Sequence, residues 1–145
     1  MTAQTFPTGS PTKIDQVISK KLLWTGHIVS GLAALFFLMD GVMKLFKPAV
    51  VVEATRQLGY PESAIVGIGL ALLASTLLYV LRRTSILGAV LLTGYLGGAV
   101  ATHVRVEAGL FNIIFPVVVG ALIWGGLWLR DRRVQELLPV RAHSL

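Results

Sequence analysis

Two charged residues, Asp40 and Lys44, lie inside an apolar stretch that is otherwise long enough to cross a membrane. An ionisable side chain in hydrocarbon costs free energy, so residues of this kind mark candidate functional sites. The two are four residues apart and share one face of a helix, with the acid preceding the base. This spacing fits a structural ion pair whose lysine extends towards the membrane surface. The same spacing is equally consistent with an Asp40 carboxylate that lines a cavity.

Further polar residues end the third apolar stretch and begin the fourth. His103 and Arg105 end the third, Tyr95 lies two turns before His103 on roughly the same face, and Asn112 begins the fourth. Histidine exchanges protons near neutral pH, and a cationic side chain can stabilise a negatively charged oxygen. We therefore predict two catalytic residues that manage protons, Asp40 and His103. The predicted ligand-binding residues are Lys44, Tyr95, Arg105, Glu53, Arg56 and Asn112.

Four apolar stretches position these residues: 22–45, 63–81, 86–104 and 110–129. A helix needs about 20 apolar residues to cross the bilayer. Hydrophobic residues make up 54% of the chain and charged residues 14%, which is below the roughly 25% of soluble domains. The stretches lack the alternation of polar and apolar residues that is typical of strands. The sequence thus predicts an all-α fold, an integral membrane four-helix bundle.

The segments around the bundle are predicted as follows. Residues 1–21 form a disordered cytoplasmic tail, 22–129 the four-helix domain, and 130–145 a basic cytoplasmic tail. A short amphipathic helix with Glu53 and Arg56 on its polar side lies at the outer interface, between the first two spans. Gly94 and Gly98 have the spacing that allows close helix approach. We favour packing within the bundle for them over formation of a homo-oligomer.

Composition excludes several classes of function. The chain has no cysteine, which excludes disulfides, thiol redox chemistry and Cys-ligated metal centres. His27 and His103 fall at opposite membrane faces and cannot ligate one haem iron, and no spacing of ligands predicts a metal site. A net charge of +6 would suggest nucleic acid for a soluble protein. In a membrane chain it indicates contact with lipid headgroups instead.

Three segments carry a resemblance to a known family: Gly41–Leu45, Leu58–Pro61 and Tyr95–Arg105. In these segments the chain resembles the DoxX-like family of small four-helix bacterial membrane proteins, and the resemblance extends over about residues 20–135. It implies a protein of the bacterial inner membrane. It also implies a link to membrane oxidoreductase systems and to quinones.

The function that we favour is binding of a lipid-soluble ligand in an outer-leaflet polar pocket. By resemblance this ligand is a quinone, and electrons come from the ligand or from an oxidoreductase partner subunit. A non-catalytic membrane subunit or scaffold is the first alternative. An isomerase or hydrolase that acts on an apolar substrate by acid–base chemistry is the second.

The distribution of basic residues predicts that both termini are cytoplasmic. With four spans, nine lysines and arginines fall on the side of the termini and four on the other, out of 13 in the chain. The nine are Lys13, Lys20, Lys21, Arg82, Arg83, Arg130, Arg132, Arg133 and Arg141. Reporter fusions at both ends measure this orientation. Alkaline phosphatase activity from a fusion after Leu145 would contradict it.

Overall fold

The computed structural model describes residues 13–137, with side chains described for residues 20–136. These residues form six helices and no strand, so the predicted all-α bundle is confirmed. In chain order the helices are α1 (Lys13–Phe46), α2 (Ala49–Gln57), α3 (Ala64–Val80), α4 (Ser85–Arg105), α5 (Leu110–Arg130) and α6 (Arg132–Leu137).

Three of the described helices are long and apolar enough to cross a membrane. They are α4, α5 and the part of α1 from Lys20 to Phe46. The helix α3 is also apolar, but its 17 residues are fewer than the roughly 20 that a helix needs to cross the bilayer. At 1.5 Å per residue it extends about 26 Å, slightly less than the hydrocarbon thickness of about 30 Å. A crossing by α3, which the four-span topology requires, stays a prediction.

The four long helices form a square. Helix α1 packs against α3 and α5, and α4 packs against the same two helices, so α1 and α4 occupy opposite corners. Helices α1 and α3 run in opposite directions, since Gly41 faces Leu73 while Ser30 meets Tyr79. The short connection at residues 81–84 reverses the chain again, so α1 and α4 run in the same direction. We call the end of the bundle that bears α2 the α2 end, and the end that bears α6 the α6 end.

Apolar side chains from all four long helices form the core. Phe37 of α1, Leu72 of α3, Leu92 of α4 and Ile123 of α5 are all buried. Burial against other helices distinguishes these residues from the many apolar side chains on the outer surface of the bundle, which face lipid in a membrane protein.

A buried polar network joins three helices near the α6 end. The Tyr79 hydroxyl group lies 3.0 Å from Ser30 Oγ and 3.0 Å from the Ile123 carbonyl oxygen, and it can donate to either. Arg130 donates from Nη2 to the Tyr79 carbonyl oxygen at 2.9 Å. Its guanidinium also lies 4.8 Å from the centre of the Tyr79 ring. Because buried polar groups are costly without partners, this network stabilises one arrangement of α1, α3 and α5.

Two of the predicted segments differ from the structure. Helix α1 begins at Lys13, within the stretch 1–21 that was predicted to be a disordered tail. Helix α6 lies within the predicted basic tail 130–145. The remainder of both predicted tails, residues 1–12 and 138–145, lies outside the described residues.

The prediction that Gly94 and Gly98 pack inside the bundle is wrong. A Cβ atom built on either residue meets no atom of the described chain within 4 Å. Leu92 and Leu96 are buried in the core. Gly94 and Gly98 each follow one of these leucines by two positions, which is about 200° around the helix. These glycines therefore face away from the core, and homo-oligomer formation through them stays a prediction.

Helix α4 instead approaches α3 closely at Gly88. A Cβ atom there would lie 2.1 Å from the backbone nitrogen of Tyr79. We expect Gly88→Ala to destabilise the protein by about 1–3 kcal/mol through overpacking. The matched control is Gly97→Ala, because Gly97 has no atom of the described chain within 4 Å of its built Cβ. This change should raise stability by about 0.5–1 kcal/mol. Unfolding in mixed micelles measures the stability of both variants. Equal stabilities would contradict the close packing of α4 against α3 at Gly88.

Candidate functional site

The structure contains an ion pair between Asp40 and Lys44 within α1. Lys44 Nζ lies 2.5 Å from Asp40 Oδ1. The Lys44 side chain is 17% exposed and the Asp40 side chain 35%. The pair is therefore half-buried, with the carboxylate the more accessible of the two charges. Asp40 lies six residues before the end of α1, about 9 Å deep.

Two glycines place Lys44 in the seam between α1 and α3. A Cβ atom on Gly69 would lie 2.8 Å from Lys44 Cβ, and one on Gly41 would lie 2.7 Å from the Leu73 side chain. The helices meet closely here because neither glycine carries a side chain. The stem of Lys44 packs over Gly69, and its ammonium group reaches back to Asp40.

Tyr95 adds a third polar group from α4. Its hydroxyl group interacts with the Asp40 carboxylate, and its ring packs against the buried core. Because α1 and α4 occupy opposite corners of the square, this interaction crosses the diagonal of the bundle. We call Asp40, Lys44 and Tyr95 the Asp40 triad. It combines a carboxylate, an ammonium group and a phenol in a largely apolar setting.

His103 lies away from the triad. It follows Tyr95 by eight residues, about 12 Å along α4 towards the α2 end. Its Nδ1 lies 2.7 Å from the Ala99 carbonyl oxygen and donates to it. Nε2 is then the acceptor of the neutral ring. Asp40 and His103, the two residues predicted to manage protons, are thus separated along the bundle, and it is Tyr95 that interacts with Asp40.

Arg105 holds the connection between α2 and α3 against the end of α4. Its Nη2 donates to the Leu58 carbonyl oxygen at 2.6 Å, and its guanidinium lies 5.7 Å from the centre of the Tyr60 ring. The Tyr60 hydroxyl group forms a 2.9 Å hydrogen bond with Thr102 Oγ1. Gly59 between them has φ +77°, a conformation that other residues rarely adopt. These contacts indicate a structural role for Arg105.

The remaining predicted residues lie at the surface of the α2 end. Glu53 accepts a 3.3 Å hydrogen bond from Gln57 within α2. Arg56 lies 3.6 Å from the carboxylate of Glu62. Asn112 is exposed at the beginning of α5. The predicted polar cluster therefore separates into the Asp40 triad, the Arg105 contacts and surface pairs on and beside α2.

Sequence reasoning missed a second concentration of polar groups at the α6 end. A cleft there is lined by Leu23, Arg82, Arg83, Arg130, Asp131, Arg132 and Arg133. The signal was present in the sequence as two arginine-rich segments, 82–83 and 130–133. With four antiparallel helices both segments fall at the same end, but the sequence indicates only topology and a general contact with lipid headgroups, not a cleft.

Fold and composition together define this chain as a helical membrane protein. Residues 28–126 match the DoxX-like family, and the chain belongs to that family. No curated protein and no solved structure matches the chain. The matched residues include the complete Asp40 triad and the Arg105 contacts.

The first test of the site is a double-mutant cycle on Asp40 and Lys44. We expect Asp40→Ala and Lys44→Met each to destabilise the protein, because each leaves one charge without its partner. The double variant should recover much of this loss, with a coupling energy of about 0.5–3 kcal/mol. The control cycle is Arg56 with Glu62, whose side chains are 63% and 48% exposed and whose coupling should stay below about 1 kcal/mol. Additive effects at Asp40 and Lys44 would show that they do not interact.

Proposed function

We propose that the protein binds a lipid-soluble ligand with a carbonyl oxygen, of the quinone class, at the Asp40 triad. In this proposal it acts in the bacterial inner membrane, beside an oxidoreductase partner subunit. The observation that carries the proposal is the meeting of Asp40, Lys44 and Tyr95 inside an apolar bundle. Largely apolar surroundings with a few convergent polar groups are typical of ligand sites.

The triad has the hydrogen-bonding capacity that a quinone requires. Lys44 has three N–H donors, and the ion pair with Asp40 occupies one of them. A second donor can reach a quinone carbonyl oxygen. Asp40, which stays 35% exposed, can accept a hydrogen bond from a quinol hydroxyl group. The same residues therefore suit both redox forms of the ligand.

Reduction of a quinone to a quinol consumes two electrons and two protons. In the proposal the partner subunit supplies the two electrons and water supplies the two protons. Tyr95 donates its hydroxyl proton to one ligand oxygen, and Asp40, which takes up protons from water, reprotonates Tyr95 and donates the second proton to the other ligand oxygen. His103 lies about 12 Å further along α4, so it serves as an exchange point with water at the α2 end. Arg105 has no part in binding, since its guanidinium is engaged with Leu58 and Tyr60.

One observation favours a second candidate, the non-catalytic subunit or scaffold. The Asp40 carboxylate already interacts with Lys44 and Tyr95, so the triad satisfies its main polar groups without any ligand. A network of this kind can hold α1 and α4 in register across the bundle. The amount of bound quinone distinguishes the quinone-binding protein from the scaffold, because a scaffold retains no quinone.

The test is the amount of quinone that co-purifies with the protein in a mild detergent, measured by extraction and mass spectrometry. We expect the unsubstituted chain to retain quinone, and Asp40→Asn and Tyr95→Phe to lower its affinity about tenfold each. Loss of one hydrogen bond that involves a charged group, about 1.5 kcal/mol, accounts for a change of this size.

Tyr60→Phe is the matched control, because it removes a hydroxyl group at the same end whose bond goes to Thr102. It should retain quinone at the level of the unsubstituted chain. Absence of quinone from the unsubstituted chain, or equal retention in all variants, would favour the scaffold.

A further inference from the structure

The α6 end contains a cleft of about 530 Å³. Its volume lies within the range of about 300–1,000 Å³ that is usual for small-ligand sites. Three parts of the chain meet there: Leu23 of α1, the connection between α3 and α4, and the segment 130–133 where α5 ends and α6 begins. The cleft is thus built by tertiary structure and lies at the end opposite the Asp40 triad.

The charge of this cleft is strongly positive. Five arginines and one aspartate line it, which gives a formal charge of +4 (five minus one). The arginines are Arg82, Arg83, Arg130, Arg132 and Arg133. Among the described residues none of them forms an ion pair within 4 Å. Like charges held together without a counter-charge repel one another, so the cleft favours an anion.

Asp131 does not neutralise the arginine side chains. Its Oδ1 accepts a 3.0 Å hydrogen bond from the backbone nitrogen of Arg133, and its Oδ2 lies 3.5 Å from Ser85 Oγ. The carboxylate therefore caps the first turn of α6 and ties it to the start of α4. This places the arginines of the segment 130–133 beside those of the α3–α4 connection.

The position of the Arg130 side chain supports an anion site independently of the charge of the cleft. Its Nη2 and the face of its guanidinium are held by Tyr79, one of the most deeply buried residues of the core. Its Nε is buried and has no hydrogen-bond partner among the described residues. A buried N–H group without an acceptor costs about 1–3 kcal/mol, and a ligand oxygen would remove that cost. The guanidinium is therefore fixed in place, and its Nε–H group remains without an acceptor among the described residues.

We propose that this cleft binds a phosphate group, and that the phosphate belongs to the headgroup of an anionic membrane phospholipid. The planar donors of arginine match the oxygens of a phosphate and bind it through paired hydrogen bonds. The cleft lies where apolar α3 and α5 end and α4 begins, which is the depth of lipid headgroups if these helices cross the bilayer as proposed, and it includes the apolar side chain of Leu23. A free phosphate has the same chemistry but gains nothing from these apolar surroundings.

The experiment uses the full-length protein in neutral detergent. Phosphatidylglycerol, phosphatidylcholine and inorganic phosphate are titrated separately, and binding is followed by native mass spectrometry and by the thermal unfolding midpoint. We expect phosphatidylglycerol to bind and to raise the midpoint at concentrations where the other two have no effect. Binding should weaken as salt is added, because the partners are charged.

Arg82→Gln/Arg83→Gln should lower the affinity for phosphatidylglycerol by at least about tenfold. Both side chains are exposed, so the fold should be retained, and the unfolding midpoint without lipid checks this. The matched control is Lys20→Gln/Lys21→Gln, which removes the same charge from exposed residues of α1 that do not line the cleft. It should change the affinity by less than about twofold.

Three outcomes would overturn the proposal. Equal losses in the two double variants would show a diffuse attraction to basic charge rather than a built site. Equal binding of phosphatidylcholine would show that the anionic headgroup is not recognised. Binding of inorganic phosphate as tight as that of phosphatidylglycerol would assign the cleft to a soluble anion. Each result is independent of quinone retention at the Asp40 triad.

Discussion

The close approach of α1 and α3 at Gly41 and Gly69 is the constraint on which the candidate site depends. A side chain at either glycine would collide with the facing helix, at Leu73 or at Lys44. The approach holds the stem of Lys44 in the seam, and the ammonium group then lies against Asp40 of the same helix. A charged residue that is otherwise costly in an apolar bundle thereby gains a fixed partner.

The two ends of the bundle are built differently. At the α2 end, Arg105 and Tyr60 fasten a connection to α4 through a carbonyl oxygen and a hydroxyl group. At the α6 end, five arginines surround a cleft and only one aspartate accompanies them. The Asp40 triad lies in the half of the bundle nearer the α2 end, with Asp40 about 9 Å from the end of α1. We interpret this as a division of roles, with a ligand site inside the bundle and a headgroup site at its surface.

The lengths of the apolar stretches predicted the helices well. The candidate site, in contrast, depends on interactions between helices, which the sequence alone does not reveal. The stretch 110–129 became α5 at Leu110–Arg130, because charged or glycine-rich breaks limit each apolar stretch. The pairing of Asp40 with Lys44 followed from spacing within one helix. The interaction of Tyr95 with Asp40 did not, because it depends on which helices lie diagonally across the bundle. The partner of Arg105 is a backbone carbonyl oxygen, which no residue type identifies in advance.

Photoaffinity labelling tests the central claim, a quinone-class site at the Asp40 triad, most directly. Membranes that contain the full-length protein are illuminated with a photoreactive quinone analogue, and the labelled peptides are mapped. We expect labels concentrated in α1 around Asp40 and in α4 around Tyr95, and we expect unlabelled quinone to suppress them. Labels spread over all lipid-facing helix surfaces, with no suppression by unlabelled quinone, would contradict it.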